Sequence, residues 1–365
     1  MKKLLFTLAV SFLGTALFAQ IDEDLTPEEK AYRDSIANLN ETNALIEKSQ
    51  KAYNEGIELF KQNKYEGAIN KFSESINADP NFTPAYYNKA IAENKAEKFK
   101  EAIKTIDALV KRKPNYAKAY FQRGRAYQGM KDFLSAEKDY QKSIDLDPSN
   151  PKAYYNFGTL KFLQKDYEAA IQQFSKVIEL SPKDAYAYND RGSCYRMLEK
   201  YAQAVKDYEA AAKMNPELAF VLNNIGTTKT RMKMYDEALK AFNRALSVDP
   251  KFYLAYNNRG VTEMKMERYN DAVNDFTKCI EINSSYAPAY SNRSGAHFKN
   301  GDYEKAKKDA DKAIQLDPNF ADAYVNRANA KEMLRDMNGA CEDWQKAREL
   351  GSELGKSYHS TNCSN

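Results

Sequence analysis

The sequence of 365 residues predicts an all-α solenoid of about nine helix-turn-helix repeats. Prolines recur every 34 residues, and glycines keep the same interval. Within each interval, apolar and small residues recur at helical spacing in two blocks. The recurring residues at the proline place are Pro80, Pro114, Pro148, Pro182, Pro216 and Pro250, then Ser284, then Pro318. A fixed period of this length is the signature of stacked repeats.

The composition excludes several classes of protein. Hydrophobic residues make up 43% and charged residues 29% of the chain, enough to bury a core, so wholesale disorder is excluded. The formal charge is +4, and it falls to +2 once Lys2 and Lys3 are removed with a leader, too balanced for a nucleic-acid-binding protein. Two histidines leave little room for histidine-based metal sites or catalysis.

The first residues predict export. Lys2 and Lys3 precede a short apolar run, and Ala19 follows it, the pattern of a secretory signal peptide over residues 1–19. The alternative is an uncleaved N-terminal anchor. No cysteine follows the run, which argues against a lipid anchor. We therefore expect a periplasmic or secreted protein without a membrane span after cleavage.

The rest of the chain divides into three segments. Residues 20–48 predict an acidic leader and an N-terminal capping helix, residues 49–354 the repeat array, and residues 355–365 a C-terminal capping tail. Proline after a helix prevents its continuation, so each repeat is two antiparallel helices joined by a tight turn. Positions 1 to 34 are counted here from residues 49, 83, 117, 151, 185, 219, 253, 287 and 321.

Three of these positions carry a resemblance to the tetratricopeptide repeat family. Position 4 is aromatic in most repeats (Tyr86, Tyr120, Tyr154, Tyr188, Tyr256, Tyr290, Tyr324). Position 17 is aromatic in the first eight (Tyr65, Phe99, Phe133, Tyr167, Tyr201, Tyr235, Tyr269, Tyr303). Position 20 is alanine throughout (Ala68, Ala102, Ala136, Ala170, Ala204, Ala238, Ala272, Ala306, Ala340). The resemblance covers all nine repeats and implies a right-handed solenoid.

Positions 7 and 23 vary together within this one chain. Arginine at position 7 accompanies aspartate at position 23 in five repeats, whereas repeats without that arginine lack the aspartate. The pairs are Arg123 with Asp139, Arg191 with Asp207, Arg259 with Asp275, Arg293 with Asp309, and Arg327 with Asp343. Co-variation implies contact, so we predict bidentate ion pairs between the two helices of a repeat.

In the family that this chain resembles, the first helices line a concave groove that binds peptides, which implies a role for positions 2, 5, 6, 9 and 12. Position 6 is an amide in most repeats and an acid in one (Asn88, Gln122, Asn156, Asp190, Asn224, Asn258, Asn292, Asn326). Such amides can hydrogen-bond a ligand's backbone. Alternatively they cap or brace neighbouring helices.

Position 5 changes character along the array. It reads Tyr53, Tyr87, Phe121 and Tyr155, and then Asn189, Asn223, Asn257 and Ser291. Phe60 and Phe162 at position 12, and Tyr186 and Phe220 at position 2, add to the aromatic set. Exposed aromatic clusters commonly mark partner sites, although these rings could instead pack against a neighbouring helix.

The family's carboxylate clamp is absent, because position 5 never holds lysine and position 6 never holds arginine. No P-loop, HExxH or GxSxG motif is present, and the acidic Asp22, Glu23 and Asp24 lie in a leader, so we expect no enzyme activity, metal or cofactor. Cys341 and Cys363 lie close together near the C-terminus and predict a disulfide, whereas Cys194 and Cys279 predict buried thiols.

These observations predict a cell-envelope protein that binds a protein or peptide in its concave groove. The predicted contacts are Tyr53, Tyr87, Asn88, Phe121, Gln122, Tyr155, Asn156, Phe162, Tyr186, Asn189, Phe220, Asn223, Asn224, Asn257, Asn258 and Asn292. The alternative is a scaffold or assembly subunit of an envelope or secretion complex that uses its convex face or its ends.

Overall fold

The computed structural model describes residues 25–363, and every regular element in that range is an α-helix. Contacts divide the chain into two compact units, residues 1–153 and 154–365. The predicted signal peptide, residues 1–19, lies outside the described range. In both units, consecutive helices pair as the repeat pattern predicts, so the all-α solenoid of helix-turn-helix repeats is confirmed.

The first unit contains repeats one to three. Its helices are α1 (Pro27–Lys61), α2 (Tyr65–Ala78), α3 (Thr83–Lys95), α4 (Phe99–Arg112), α5 (Ala117–Gly129) and α6 (Phe133–Leu146). The boundary between the units falls within α7 (Pro151–Leu163). Phe72, Ile106 and Leu109 from the second helices are fully buried, Phe72 in one apolar cluster of this unit and the other two in a second.

The second unit contains repeats four to nine. After α7 follow α8 (Tyr167–Leu180), α9 (Ala185–Met197), α10 (Tyr201–Met214), α11 (Ala219–Arg231), α12 (Tyr235–Val248), α13 (Tyr253–Lys265), α14 (Tyr269–Ile282), α15 (Ala287–Lys299), α16 (Tyr303–Leu316), α17 (Ala321–Met333), α18 (Met337–Glu349) and α19 (Glu353–Asn362). Its largest core cluster contains Tyr208, Leu222 and Ile225. Among the helices between residues 27 and 362, none has the length and apolar character needed to cross a bilayer.

The turn inside each repeat closes in the same way. At α5, the amide of Asp132 donates to the carbonyl of Tyr127 at 2.9 Å, the long-range bond of a Schellman motif. The residue before it, at position 15, then has a positive φ, as at Lys131 (61°). Only repeat eight places glycine there, Gly301; the other eight repeats use Asn63, Glu97, Lys131, Lys165, Glu199, Lys233, Glu267 and Arg335.

The recurring glycine at position 8 lets the two helices of a repeat approach closely. A Cβ atom added at Gly226 would lie 2.6 Å from the Phe242 ring, and one added at Gly192 would lie 2.9 Å from Tyr208. The ring at position 24 therefore occupies the space that a side chain at position 8 would need. This contact sets the distance between the first and second helices and buries the ring completely.

The predicted Arg–Asp pairs are confirmed. In repeat five, Arg191 Nε and Nη2 donate to the two carboxylate oxygens of Asp207 at 2.7 and 2.8 Å. The other four pairs have the same bidentate geometry. The Arg191 guanidinium also lies 5.7 Å from the centre of the Tyr188 ring, and its Nη1 donates to Ser175 of the preceding repeat at 3.0 Å. The pair thus braces neighbouring repeats as well as the two helices of one repeat.

The two ends of the described chain differ. The sequence suggested a separate capping helix within residues 20–48, but residues 27–48 continue into the first repeat as part of the single helix α1. At the other end, α19 packs against α18, and a disulfide joins Cys341 to Cys363 with their Cα atoms 5.7 Å apart. Cys194 and Cys279 are free and buried.

Candidate peptide-binding surface

Positions 2, 5, 9 and 12 follow one another at intervals of three or four residues, and position 6 lies four residues after position 2 and three before position 9, so all five share one face of each first helix. Most of the predicted contact residues on this face are already engaged by the protein itself. The structure separates them into residues that pack inward, residues that pair along the face, and one aromatic pair that remains accessible.

The aromatic side chains at position 5 pack within their own repeats. Tyr53 contacts Phe72 and Phe82, with ring centres 5.7 and 5.1 Å apart, and Tyr87 contacts Tyr116. Phe121 is only 8% exposed and packs on Tyr140, and Tyr155 packs on Phe174. For Phe121 the structure shows the alternative, packing against a neighbouring helix, because position 5 faces the ring at position 24. Tyr53, Tyr87 and Tyr155 are half-buried.

In the first unit, the amides at position 6 contact the same framework. Asn88 Nδ2 donates to the hydroxyl of Tyr53 in the preceding repeat at 2.7 Å and to the carbonyl of Pro84 at 3.2 Å. Gln122 is buried, and its backbone carbonyl accepts from Asn94 Nδ2 at 2.9 Å. These contacts brace helices.

In the second unit, an amide ladder runs along the face, connecting position 6 of each repeat to position 5 of the preceding one. Each position-6 amide nitrogen donates to a side chain 35 residues earlier: Asn224 to Asn189 (3.0 Å), Asn258 to Asn223 (2.9 Å), Asn292 to Asn257 (2.9 Å) and Asn326 to Ser291 (3.0 Å). The position-5 members, Asn189, Asn223, Asn257 and Ser291, are buried. The position-6 amides were expected either to bind a ligand or to brace neighbouring helices, and in the structure they brace neighbouring helices.

The ladder ends at Asp190, the only acidic residue at position 6. Its Oδ2 accepts from the Tyr155 hydroxyl, and its Oδ1 accepts from Asn189 Nδ2 at 2.9 Å. Burial raises the pKa of Asp190, and the two hydrogen bonds partly oppose that rise. Burial, together with the bond to Asp190, also raises the pKa of Tyr155. The sequence analysis did not predict the Tyr155–Asp190 contact. Its only indication in the sequence is that position 6 changes from an amide to an acid at Asp190.

One aromatic pair remains accessible. Tyr186 at position 2 of repeat five is 51% exposed, and its ring stacks on Phe220, the equivalent residue of repeat six, with centres 6.2 Å apart and planes 26° apart. Phe220 is half-buried. Phe162 is also half-buried, but it packs on Tyr167 within repeat four, and Asn156 is half-buried.

Two further apolar residues were missed because position 13 was not included in the groove. Leu163 and Met197, the position-13 residues of repeats four and five, are both exposed. The sequence could have indicated these two residues, because they are apolar at a position where five other repeats hold lysine or arginine (Lys61, Lys95, Arg231, Lys265, Lys299). The first helices of repeats four to six therefore carry Tyr186, Phe220, Leu163 and Met197 as accessible or half-accessible apolar groups.

Profiles described as the tetratricopeptide repeat, or TPR repeat, match most of the chain. The matched residues are 59–126, 117–150, 139–172, 158–198, 183–251, 253–286 and 287–320. Among curated proteins, none matches the sequence.

Solved structures of repeat proteins share the fold. A tetratricopeptide repeat protein from Parabacteroides merdae is 21% identical, with a TM-score of 0.57 over 68% of this chain and 99% of that one. PilF of Pseudomonas aeruginosa is 20% identical, with a TM-score of 0.51 over 59% of this chain and 98% of its own. PilW, a type IV pilus biogenesis factor, is 20% identical, with a TM-score of 0.52 over 57% and 97%.

Proposed function

Since this chain belongs to the tetratricopeptide repeat family, we propose that it is a non-enzymatic binding protein that holds a peptide segment of a partner on the first helices of its second unit. The proposed centre of the site is the Tyr186–Phe220 pair. The partner segment is extended and mainly uncharged, with an aromatic, aliphatic or proline side chain that packs against the two rings.

The observation that carries this proposal is the exposure of the ring pair. Tyr186 leaves half of its surface accessible, although stacked aromatic residues at the surface of a folded protein are favoured when something covers them. Aromatic side chains also dominate the energy of protein interfaces. The two rings come from equivalent positions on the first helices of consecutive repeats, so they form a flat apolar patch rather than two separate contacts.

The surroundings of the pair favour an uncharged ligand. Positions 6 and 9 of these two repeats hold Asp190, Ser193, Asn224 and Thr227. The basic residue at position 12 of repeat five, Arg196, is half-buried, and its Nε donates to the Tyr208 hydroxyl at 3.4 Å. The amide ladder holds the polar members of this face in place before a ligand arrives, so little side-chain ordering accompanies binding.

We also propose that the protein acts outside the cytoplasm, in the periplasm or after secretion. Support comes from the leader sequence, which has the charged start, the apolar run and the small residue at its end. Intact mass measurement of the protein from an envelope or medium fraction tests this proposal. A chain that begins at Gln20 would support it, whereas a chain that retains residues 1–19 in the cytoplasm would contradict it.

The binding proposal is tested with a phage-displayed peptide library. The protein is immobilised, and selected peptides are synthesised with a fluorophore and titrated by anisotropy. We expect Tyr186→Ala/Phe220→Ala to weaken binding at least about tenfold, because both rings leave the contact. A matched control is Leu180→Ala/Met214→Ala, which removes two exposed apolar side chains from the second helices of repeats four and five.

Circular dichroism of all variants checks that folding is retained. Equal losses in the two double variants would place binding outside this face. If peptides selected on the wild-type protein bound the Tyr186→Ala/Phe220→Ala variant equally well, the groove proposal would be wrong, and the scaffold alternative would take its place.

A further inference from the structure

The N-terminal half of α1 extends beyond the helix that packs against it among residues 25–153. The helix spans 35 residues, but α2, which packs against it, has only 14. Contact between the two reaches Ser49, whose hydroxyl donates to the carbonyl of Ser75 near the end of α2 at 2.9 Å. Residues 27–48 continue beyond this point, and all of them except Lys30 are exposed. This segment is called the α1 extension below.

The α1 extension carries an apolar stripe. Tyr32, Ile36, Leu39 and Ile46 follow one another at intervals of four, three and seven residues, and all are exposed, Tyr32 by 71%. This is the spacing of the a and d positions of a heptad, with Ile36 at a and Tyr32, Leu39 and Ile46 at d. The one a position between Leu39 and Ile46 holds Asn43.

We infer that a second copy of this chain covers the stripe, and that the two α1 extensions form a parallel, two-stranded coiled coil with its seam over residues 32–46. Isoleucine at a with leucine at d favours two strands. A single asparagine at an a position specifies the dimer and its alignment, because the two amides pair with each other across the seam in a parallel dimer. An isologous contact of this kind needs only one self-complementary surface.

The charges of the extension agree with a second copy as its occupant. In the parallel arrangement, Glu28 at g faces Arg33 at e of the other chain, an opposite-charge pair. Within one chain Arg33 also pairs with exposed Asp34 at 3.0 Å, a surface contact of small energy. The extension has five acidic and three basic residues, so it does not favour the anionic surface of a membrane, which attracts basic helices.

Sedimentation equilibrium of the purified mature chain between about 1 and 100 μM tests the dimer. We expect dimers at the upper end of this range, because about two heptads with one polar a position form a weak coiled coil. Leu39→Asp should weaken dimerisation at least about 100-fold, since two seam leucines are lost at once. The matched control is Leu45→Asp, an exposed leucine on the same helix that lies at a c position.

Cross-linking tests the parallel alignment. Asn43→Cys places two thiols face to face in a parallel dimer, so mild oxidation should give a disulfide-linked dimer on a non-reducing gel. Glu41→Cys, at an f position, should not cross-link. The natural cysteines do not interfere, because Cys194 and Cys279 are buried and the other two are bonded.

A monomer at every concentration, or a trimer, would overturn the proposal. So would a dimer that Leu39→Asp and Leu45→Asp weaken equally, because the stripe would then not be the seam. A dimer that persists in the Leu39→Asp variant would also overturn the proposal, because it would have to form through another surface. If Leu39→Asp disrupts the dimer but the Asn43→Cys variant gives no cross-link, the pair is antiparallel and the parallel arrangement is refuted.

Discussion

Repeats five and six are consecutive in the second unit, and both have a first helix of 13 residues and a second of 14. They fill the space between those helices differently. Repeat five uses the ion pair of Arg191 with Asp207, whereas repeat six places Ile225 and Ala241 at the same two positions, both buried. The helices keep the same lengths and turn geometry in both cases.

This difference shows that positions 7 and 23 behave as one unit. Asp207 is only 5% exposed, so its charge is acceptable only while Arg191 is present. Ile225 belongs to the apolar core cluster and leaves no charge to compensate. A change at one position alone gives either a buried carboxylate or a buried guanidinium without a partner, which explains why the two positions vary together.

The largest expected effect comes from breaking the pair in repeat five. Arg191→Ile leaves Asp207 buried without its cation and should lower the free energy of unfolding by about 3–5 kcal/mol. The double variant Arg191→Ile/Asp207→Ala, which copies repeat six, should recover most of this loss. Urea denaturation of the single and double variants measures the coupling. Strictly additive losses would mean that the two residues act independently.

A second prediction concerns what repeats five and six share. Gly192→Ala and Gly226→Ala should each destabilise by about 1–3 kcal/mol, because the added methyl group would press on Tyr208 or Phe242. Gly295→Ala is the matched control: it lies in helix α15, where nothing is within 4 Å of the added atom, and it should stabilise by about 0.5–1 kcal/mol. Thermal unfolding measures all three. If one of the substitutions Gly192→Ala and Gly226→Ala stabilised the protein while the other destabilised it, the spacing between the two helices would depend on whether position 7 holds an ion pair or an apolar residue.

Repeat seven sharpens the comparison, because it adds a third ionisable group, Glu263, to the ion-pair arrangement. Burial, and then the nearby Asp275, raise the pKa of Glu263 from 4.5 to about 8, and its Oε2 is buried without a hydrogen-bond partner. The folded chain therefore keeps a proton that the unfolded chain releases, so stability falls as the pH rises from about 4.5 to about 8.

Glu263→Gln should remove that fall. Its stability relative to the natural chain should rise by about 1–2 kcal/mol between pH 5 and pH 9, measured by urea denaturation at each pH. Glu267→Gln, at an exposed residue of the same repeat, should show no such trend. A pH-independent difference for Glu263→Gln would mean that Glu263 is ionised in the folded protein at neutral pH.

Most of the fold was predictable because the same pattern recurs nine times. The prolines and the position-20 alanines marked the helices, and co-variation alone identified the Arg–Asp pairs. The continuous α1 was missed because a separate cap was assumed. Yet the sequence contains no glycine or proline between Pro27 and Gly56 that would interrupt a helix.

The candidate site was harder to predict for a physical reason. An aromatic residue at position 5 is compatible with either a ligand-binding groove or a buried core. Only the three-dimensional arrangement of the helices places Phe121 against Tyr140. The amide ladder left no co-variation to detect, because position 6 is nearly constant while its partner at position 5 changes from tyrosine to asparagine to serine. Exposure of Tyr186 likewise depends on its neighbours rather than on its own position.

The turns at position 15 give the chain an unused capacity to tolerate mutation. Eight repeats hold a residue other than glycine in a left-handed conformation, each at a cost of about 0.5–1 kcal/mol. Together these costs amount to about 4–8 kcal/mol, comparable with the whole stability of a typical domain. Glycine at these turns would release that amount without changing either the ladder or the aromatic pair. Evolution of new binding surfaces on this chain could therefore absorb several destabilising substitutions, provided that the turns change first.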